Sequence, residues 1–248
     1  MILIGIPTYD NQTNAQLSLT LMNEIARKGN PPFVVTTHHS SLLARGFNTL
    51  YCNALNKRPE VIHFLMIHSD IVPEPGFIRK MYKEMGRTKA DVLSVVLPLK
   101  DNRGLTSTAL LDSTIGENPR RVSVSELDNL PETFGKDDLA DFFKGRRGSS
   151  TLLVNSGLML VNLQKPWVEK VWFAIEDYIF KNKDGKFETY TFSEDWFYSK
   201  QAQMRGAKVM ATQIVRARHI GDASFPNWGR WGLFDQEEDE KTKEVALA

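Results

Sequence analysis

The first hundred residues alternate short apolar runs with segments of helical periodicity, and each run ends beside polar or turn-forming residues. That rhythm constrains the fold more than any single motif, because apolar runs of ~4–8 residues joined by helical crossovers are what a buried parallel sheet requires. "ILIGIPTYD" closes on Pro7, Thr8, Tyr9 and Asp10. A helix is expected next, with Leu17, Leu21 and Ile25 at four-residue spacing, and Gly29-Asn30-Pro31-Pro32 stops it before the strand "FVVTTHHS". In "SSLLARGFNTLYCNALN", Leu43, Phe47, Leu50 and Leu55 supply a second helical face, and "VIHFLMI" is a third strand that runs into His68, Ser69 and Asp70. Pro75 to Met85 predicts another helix and "ADVLSVVLP" a fourth strand.

The second half is less regular. From Lys100 to Ser150 the periodicity fails in a stretch dense in Gly, Pro, Asp, Ser and Arg, which reads as a long functional insertion. "TLLVNSGLMLVN" restores strand character around Asn155-Ser156-Gly157, and Pro166 stands where a helix through Trp172 would begin. Ser193 is placed to cap a helix in "SEDWFYSKQAQMRG", with Glu194 and Asp195 in its first turn and Gly206 at its end. "AKVMATQIVRARHIGD" predicts one or two closing strands.

Composition removes several function classes. Thirty-one basic residues nearly cancel thirty acidic ones, so no global field favours nucleic acid or an anionic membrane. Cys52 is the only cysteine, which excludes an intrachain disulfide and a cysteine-built zinc site; it is expected as a small core residue in a reducing compartment. No stretch approaches the ~20 apolar residues of a membrane helix, so the expectation is a soluble, cytoplasmic protein. No G-x-G-x-x-G follows the first strand, which argues against a dinucleotide-dependent dehydrogenase.

His68 and Asp70 lie two apart, so in an extended segment both side chains face one way and could meet one ion, with His219 after the last strand completing the set. Mixed imidazole and carboxylate ligation suits Mn²⁺ over Mg²⁺, shared with a diphosphate. The same residues also read as ordinary strand caps and a core histidine, Glu194 and Asp195 as first-turn acids favoured by the helix dipole, and Asn155 to Gly157 as a bulge.

The order of "IPTYD", "SSLLARGFNTLYCNAL", "FLMIHSDIVPEPGFI", "NSGLMLV", "SEDWFYSKQAQMRGAKV" and "RARHIG" resembles the nucleotide-sugar glycosyltransferases of the GT-A fold, of the family-2-like kind. The resemblance implies a Rossmann-type three-layer α/β sandwich with a mainly parallel central sheet. It implies a single catalytic domain over 1–234, divided into a nucleotide-binding half (1–100), the irregular insertion (101–150) and an acceptor and metal-completing half (151–234), with a charged tail at 235–248. Where that family's third strand commonly ends in Asp-x-Asp, this chain has His68-Ser69-Asp70, which leaves Asp70 as the implied metal ligand, with His219 and then His68 beside it.

Further roles follow from the resemblance. Pro7, Thr8, Tyr9 and Asp10 would line the base and ribose pocket, Tyr9 by stacking; Arg45 and Ser69 would reach the nucleotide or its diphosphate; Asn155 and Gly157 would shape the sugar or acceptor pocket. Asp195 would be the base of an inverting transfer, with Glu194 its alternative. The aromatics of "FPNWGRWGLF" would cover the sugar or acceptor, or pack the C-terminal segment onto the domain. The implied activity is metal-dependent transfer of a sugar, with a UDP-sugar as the favoured donor, to a hydroxyl of a saccharide, nucleic acid, protein or small molecule. Its alternatives are a non-catalytic nucleotide-sugar-binding protein and a nucleotidyltransferase.

Overall fold

The computed structural model describes residues 1–112, 118–145 and 149–232; the charged tail expected at 235–248, Arg146, Arg147 and the end of the aromatic motif fall outside them. Strands β1 (Ile2–Thr8), β2 (Phe33–His39) and β3 (His63–Ile67) lie parallel, joined by helices α1 (Ala15–Ala26) and α2 (Leu43–Leu55). A short β4 (Ile71–Pro73) and α3 (Phe77–Thr88) lead to β5 (Val92–Val95). The segment expected to be irregular instead holds β6 (Leu105–Leu111), β7 (Arg120–Ser123), β8 (Thr133–Phe134) and α4 (Lys136–Phe142). Its strands are two to seven residues long, too short and too irregular for a local period to betray them. β9 (Thr151–Leu153), β10 (Leu158–Asn162), the hairpin β11 (Glu176–Lys181) and β12 (Phe187–Phe192), α5 (Glu194–Met204), β13 (Val209–Thr212), β14 (Ala217–Ile220) and β15 (Ser224–Pro226) complete the described chain.

The seven-stranded central sheet has the order β2-β1-β3-β10-β5-β13-β8. β1, β2, β3, β5 and β13 run one way, while β10 and β8 run against them. The expected architecture is therefore the observed one, a GT-A-like Rossmann-type α/β sandwich around a mainly parallel sheet. Side chains alternate across it as the pleat demands. Ile2, Ile4, Ile6, Leu65 and Ile67 pack with Leu17 and Leu21 of α1 and Phe77, Ile78, Met81 and Met85 of α3. Leu3, Phe64 and Met66 face the other layer, against Phe47, Leu50 and Tyr51 of α2, Leu139 of α4 and Tyr198 of α5. Each such apolar side chain taken from water is worth roughly 1.5–3 kcal/mol, which is what holds both helical layers on the sheet.

Local details differ where a linear period drifts. Ile25 is 70 % exposed, because each four-residue step overshoots a helical turn by about 40°; the buried face of α1 is Leu17, Thr20, Leu21 and Glu24. Glu24 is fully buried and satisfied, taking Arg27 Nε at 2.9 Å, Asn30 Nδ2 at 3.0 Å and the Gly76 amide at 2.6 Å, which ties α1 to the start of α3. Cys52, expected inside, is exposed, since α2 buries Gly46, Phe47, Leu50, Tyr51 and Ala54 on its opposite side. After Pro166 the chain makes only a 3-10 turn, Pro166–Lys170, that buries Trp167 and Val168. The β11–β12 hairpin was not anticipated. Among the described residues no helix is long and apolar enough to cross a membrane.

Candidate functional site

Parallel strands deliver all their carboxyl ends to one edge of the sheet, where open α/β folds leave a crevice. Here that edge gathers the ends of β1, β2 and β3, and a cavity of about 160 Å³ opens between them. Pro7, Thr8 and Tyr9 form one wall; Ser40, Ser41 and Leu43, with Gly46 of α2, form the second; His68, Ser69 and Asp70 form the floor. Whole-ligand pockets run from roughly 300 Å³ upward, so this one seats a part of a ligand, of the size of a ribose or a diphosphate. Tyr9 is 73 % exposed and free to lie against a flat ring. Asp10 is exposed and accepts the Gln12 amide at 3.0 Å, a turn contact outside the cavity. Arg45 stands exposed on α2, one residue before Gly46.

His219 reaches the floor through a second sheet. β14 pairs antiparallel with β4, setting His219 opposite Ile71, and the Ile220 amide donates to Asp70 O at 2.9 Å. His219 Nδ1 donates to Pro98 O at 2.8 Å, which leaves Nε2 facing Asp70 Oδ2 at 3.4 Å. Lys100 Nζ lies 2.7 Å from the same oxygen. Burial would raise the Asp70 carboxyl, but its bonds to His219 and Lys100 outweigh that and hold it well below the usual carboxylate range. Asp70 Oδ1 is buried with no hydrogen-bond partner.

The expected metal set is not assembled. His68 packs its ring on Phe47, centroids 4.9 Å apart, and turns Nε2 to Ser156 Oγ at 3.1 Å. Burial is the main cause that pushes its imidazole down to about 4, with His219 and Lys100 adding to it and Asp70 opposing. Among the described residues no group of three or more His, Cys, Asp or Glu is placed to hold a metal ion. Mn²⁺ and Mg²⁺ favour about six donors. Asp70 and His219 offer two, and the Lys100 ammonium already meets Asp70 Oδ2, so a metal here would compete with Lys100 for that oxygen and draw its remaining donors from a diphosphate and water.

Asn155 and Gly157 sit behind the site. Asn155 Nδ2 donates to Val95 O at 2.9 Å while its carbonyl accepts Ser94 Oγ at 2.7 Å, locking β10 to β5. Gly157 accepts the His68 amide at 2.9 Å, and a Cβ there would meet Leu97 Cδ1 at 2.7 Å, so a side chain would require Leu97 to move. Ser156 between them is the connecting residue. Its hydroxyl meets His68, and its amide donates to Asp195 Oδ2 at 3.4 Å.

Asp195 and Glu194 begin α5, Ser193 preceding them without a side-chain cap bond. Burial, the Glu194 charge and a hydrogen bond with Glu194 push the Asp195 carboxyl well above the usual range, against the Asp195 and Ser156 amides. Asp195 Oδ1 is buried and has no hydrogen-bond partner. Nearby, Arg121 lies 4.3 Å over the Trp196 ring and donates to Thr106 O at 3.1 Å. The aromatic motif forms a separate hollow of about 580 Å³ beside Asn102, with Phe225 and Trp231 centroids 5.6 Å apart and Trp228 on its rim.

Lys100 and Ser156 were not singled out from the sequence. Lys100 follows directly on "VLSVVLPL", a strand end at the same sheet edge, and the rule that flagged His68 and Asp70 would have flagged it. Ser156 carried no signal beyond its place in a bend.

No protein-family model matches this chain, and no curated protein matches it. Solved structures similar to it include A197 from STIV, with TM-score 0.53 and 13% identity over 89% of this chain and 86% of that one. Weaker matches are TarS 1–349 of S. aureus at TM-score 0.46, 12% identity and 86% of this chain, and the same protein in complex with UDP-GlcNAc at 0.45, 11% and 95%. This chain spans only 58% and 60% of those two TarS chains. At such identities the likeness speaks for the fold alone.

Proposed function

We propose that this chain is a glycosyltransferase that moves a sugar from a nucleoside diphosphate donor, with UDP-sugar favoured, to a hydroxyl acceptor with inversion at the anomeric carbon. One observation carries the reading: Ser156 hydrogen-bonds both His68 on the cavity floor and Asp195 at the start of α5, so a floor sized for part of a donor and a candidate proton acceptor are linked through one residue. Thr8 and Tyr9 would take the base and ribose, and Ser69 and the floor the diphosphate.

In the transfer, the acceptor oxygen forms a bond to the anomeric carbon while the bond from that carbon to the diphosphate oxygen breaks. The electron pair leaves on the diphosphate, and the acceptor proton goes to Asp195 Oδ1, the unpartnered oxygen. Burial beside Glu194 makes Asp195 a stronger base than a solvated carboxylate. The sign follows: turnover rises with pH as Asp195 gives up its proton, through a midpoint above the ordinary carboxylate value.

Incubation with a panel of nucleotide sugars, followed by chromatography of the products, tests the reading. Release of a nucleoside diphosphate is the expected result, from water as acceptor if no other is supplied. Release of pyrophosphate from a nucleoside triphosphate would make the chain a nucleotidyltransferase, and binding without turnover a nucleotide-sugar-binding protein.

A further inference from the structure

The cation that meets Asp70 belongs to the chain itself. Lys100 Nζ lies 2.7 Å from Asp70 Oδ2, and the lysine is held from behind as well as in front. A Cβ built on Gly221 would stand 3.1 Å from Lys100 Cδ, 3.6 Å from its Cβ and 3.7 Å from its Cγ, so the missing side chain leaves the groove in which the lysine stem lies. Gly221 directly follows β14, the strand that carries His219 to Asp70, so one segment both places the histidine and seats the lysine. The backbone before Lys100 is fixed too: the Leu99 amide donates to Leu105 O at 2.8 Å, and Pro98 bridges to Thr106.

A lysine left on a surface needs no such seat. The side chain remains 43 % exposed beside the cavity, and an ammonium has three donors, of which Asp70 Oδ2 engages one. A compact positive charge with free donors, held beside the floor by Asp70, matches the oxygens of a diphosphate.

We propose that Lys100, held by Asp70 and Gly221, binds the diphosphate of the donor and neutralises it as it leaves, so that nucleoside diphosphates bind here without a divalent metal. This rests on the proposed function and names how its donor is held. Asp70 is then a positioning residue for the ammonium, which accounts for a carboxylate on a floor that receives an anion. His219 steadies Asp70 through the same oxygen that Lys100 meets.

Calorimetric titration of UDP, GDP, CDP and ADP into the full chain, in EDTA and in excess Mn²⁺, tests the proposal. The preferred nucleotide is expected to bind equally in both. Lys100→Met should lower the metal-free affinity about 10- to 100-fold, the range of a charged hydrogen bond, and Lys100→Arg should recover most of it. Gly221→Val, which keeps the lysine but crowds its stem, should weaken binding in the same direction. Binding that requires Mn²⁺, or that is unchanged in Lys100→Met, overturns the role of Lys100 and leaves the transferase reading standing. Absence of binding by every nucleotide in both conditions overturns the two together.

Discussion

The two ends of β3 carry a histidine each, and the same physics acts on both. His63 at the amino end and His68 just beyond the carboxyl end are both pushed down to about 4, in each case mainly by burial. Each packs on an aromatic ring, and there the likeness ends. His63 stacks edge-on against Tyr82, centroids 5.4 Å apart, and its Nδ1 has no hydrogen-bond partner. Near that end lies an apolar hollow of about 380 Å³ walled by Leu55, Pro59, Val61, Ile62 and Leu163. His68 bonds to Ser156 and shares its loop with Asp70, which Lys100 and His219 reach from other segments, at a cavity less than half that size. Neither a perturbed imidazole nor a large hollow marks a site. The carboxyl edge does, because there several strands end together and none of their next residues is required by the sheet.

The strongest way to break the comparison is Asp195→Asn, which keeps shape and removes the proton acceptor. Turnover is expected to fall ~10²- to 10⁴-fold while affinity for the nucleotide changes little. Near-normal release of nucleoside diphosphate from a destabilised protein would return Asp195 to a first-turn acid worth about 0.3–1 kcal/mol to the helix.

Acid unfolding sharpens the comparison next. A histidine whose folded value lies near 4 binds fewer protons folded than unfolded, so its contribution to stability is complete above about 6.5 and is lost as pH falls from there toward 4. Urea midpoints measured across that window should drop with falling pH. His63→Phe should remove part of the slope and leave nucleotide binding alone. His68→Phe should remove part of it too and alter binding. Equal binding in both variants would erase the distinction between the strand's ends.

The smallest expected effect is at the rim. Tyr9 is 73 % exposed and holds no core contact, so Tyr9→Ala should leave thermal stability within about 0.5 kcal/mol. Loss of stacking on a base is worth roughly 1 kcal/mol, or about fivefold in affinity for the nucleotide by titration. An unchanged affinity would place the base away from the β1 wall.

Much of the first hundred residues is legible from pattern. Apolar runs at β1, β2, β3 and β5 with helical crossovers admit few arrangements, and the polar residues ending each run were identifiable as the edge. β10, which enters the sheet between β3 and β5 against their direction, was readable as a strand, but its place was not, since Leu158–Asn162 is apolar on both faces in any central position. The stretch after Lys100 reads as irregular because its strands are two to seven residues long and none shows a clear alternation of its own. Of the three residues read as a metal set, Asp70 and His219 lie 3.4 Å apart, while His68 turns to Ser156.

What the sequence by itself determined is the periodicity: buried strands, amphipathic crossovers, and polar residues where each strand stops. These follow from local geometry, since a side chain's face is set by its neighbours two or four residues away. Only the tertiary structure decided which polar residues meet. The pairing of β14 with β4 carries His219 to Asp70, the absent side chain of Gly221 makes room for Lys100, and the bend at Ser156 hydrogen-bonds both His68 and Asp195. Those contacts depend on the register of distant strands and on the space a missing Cβ leaves, and neither is written in any local run of residues.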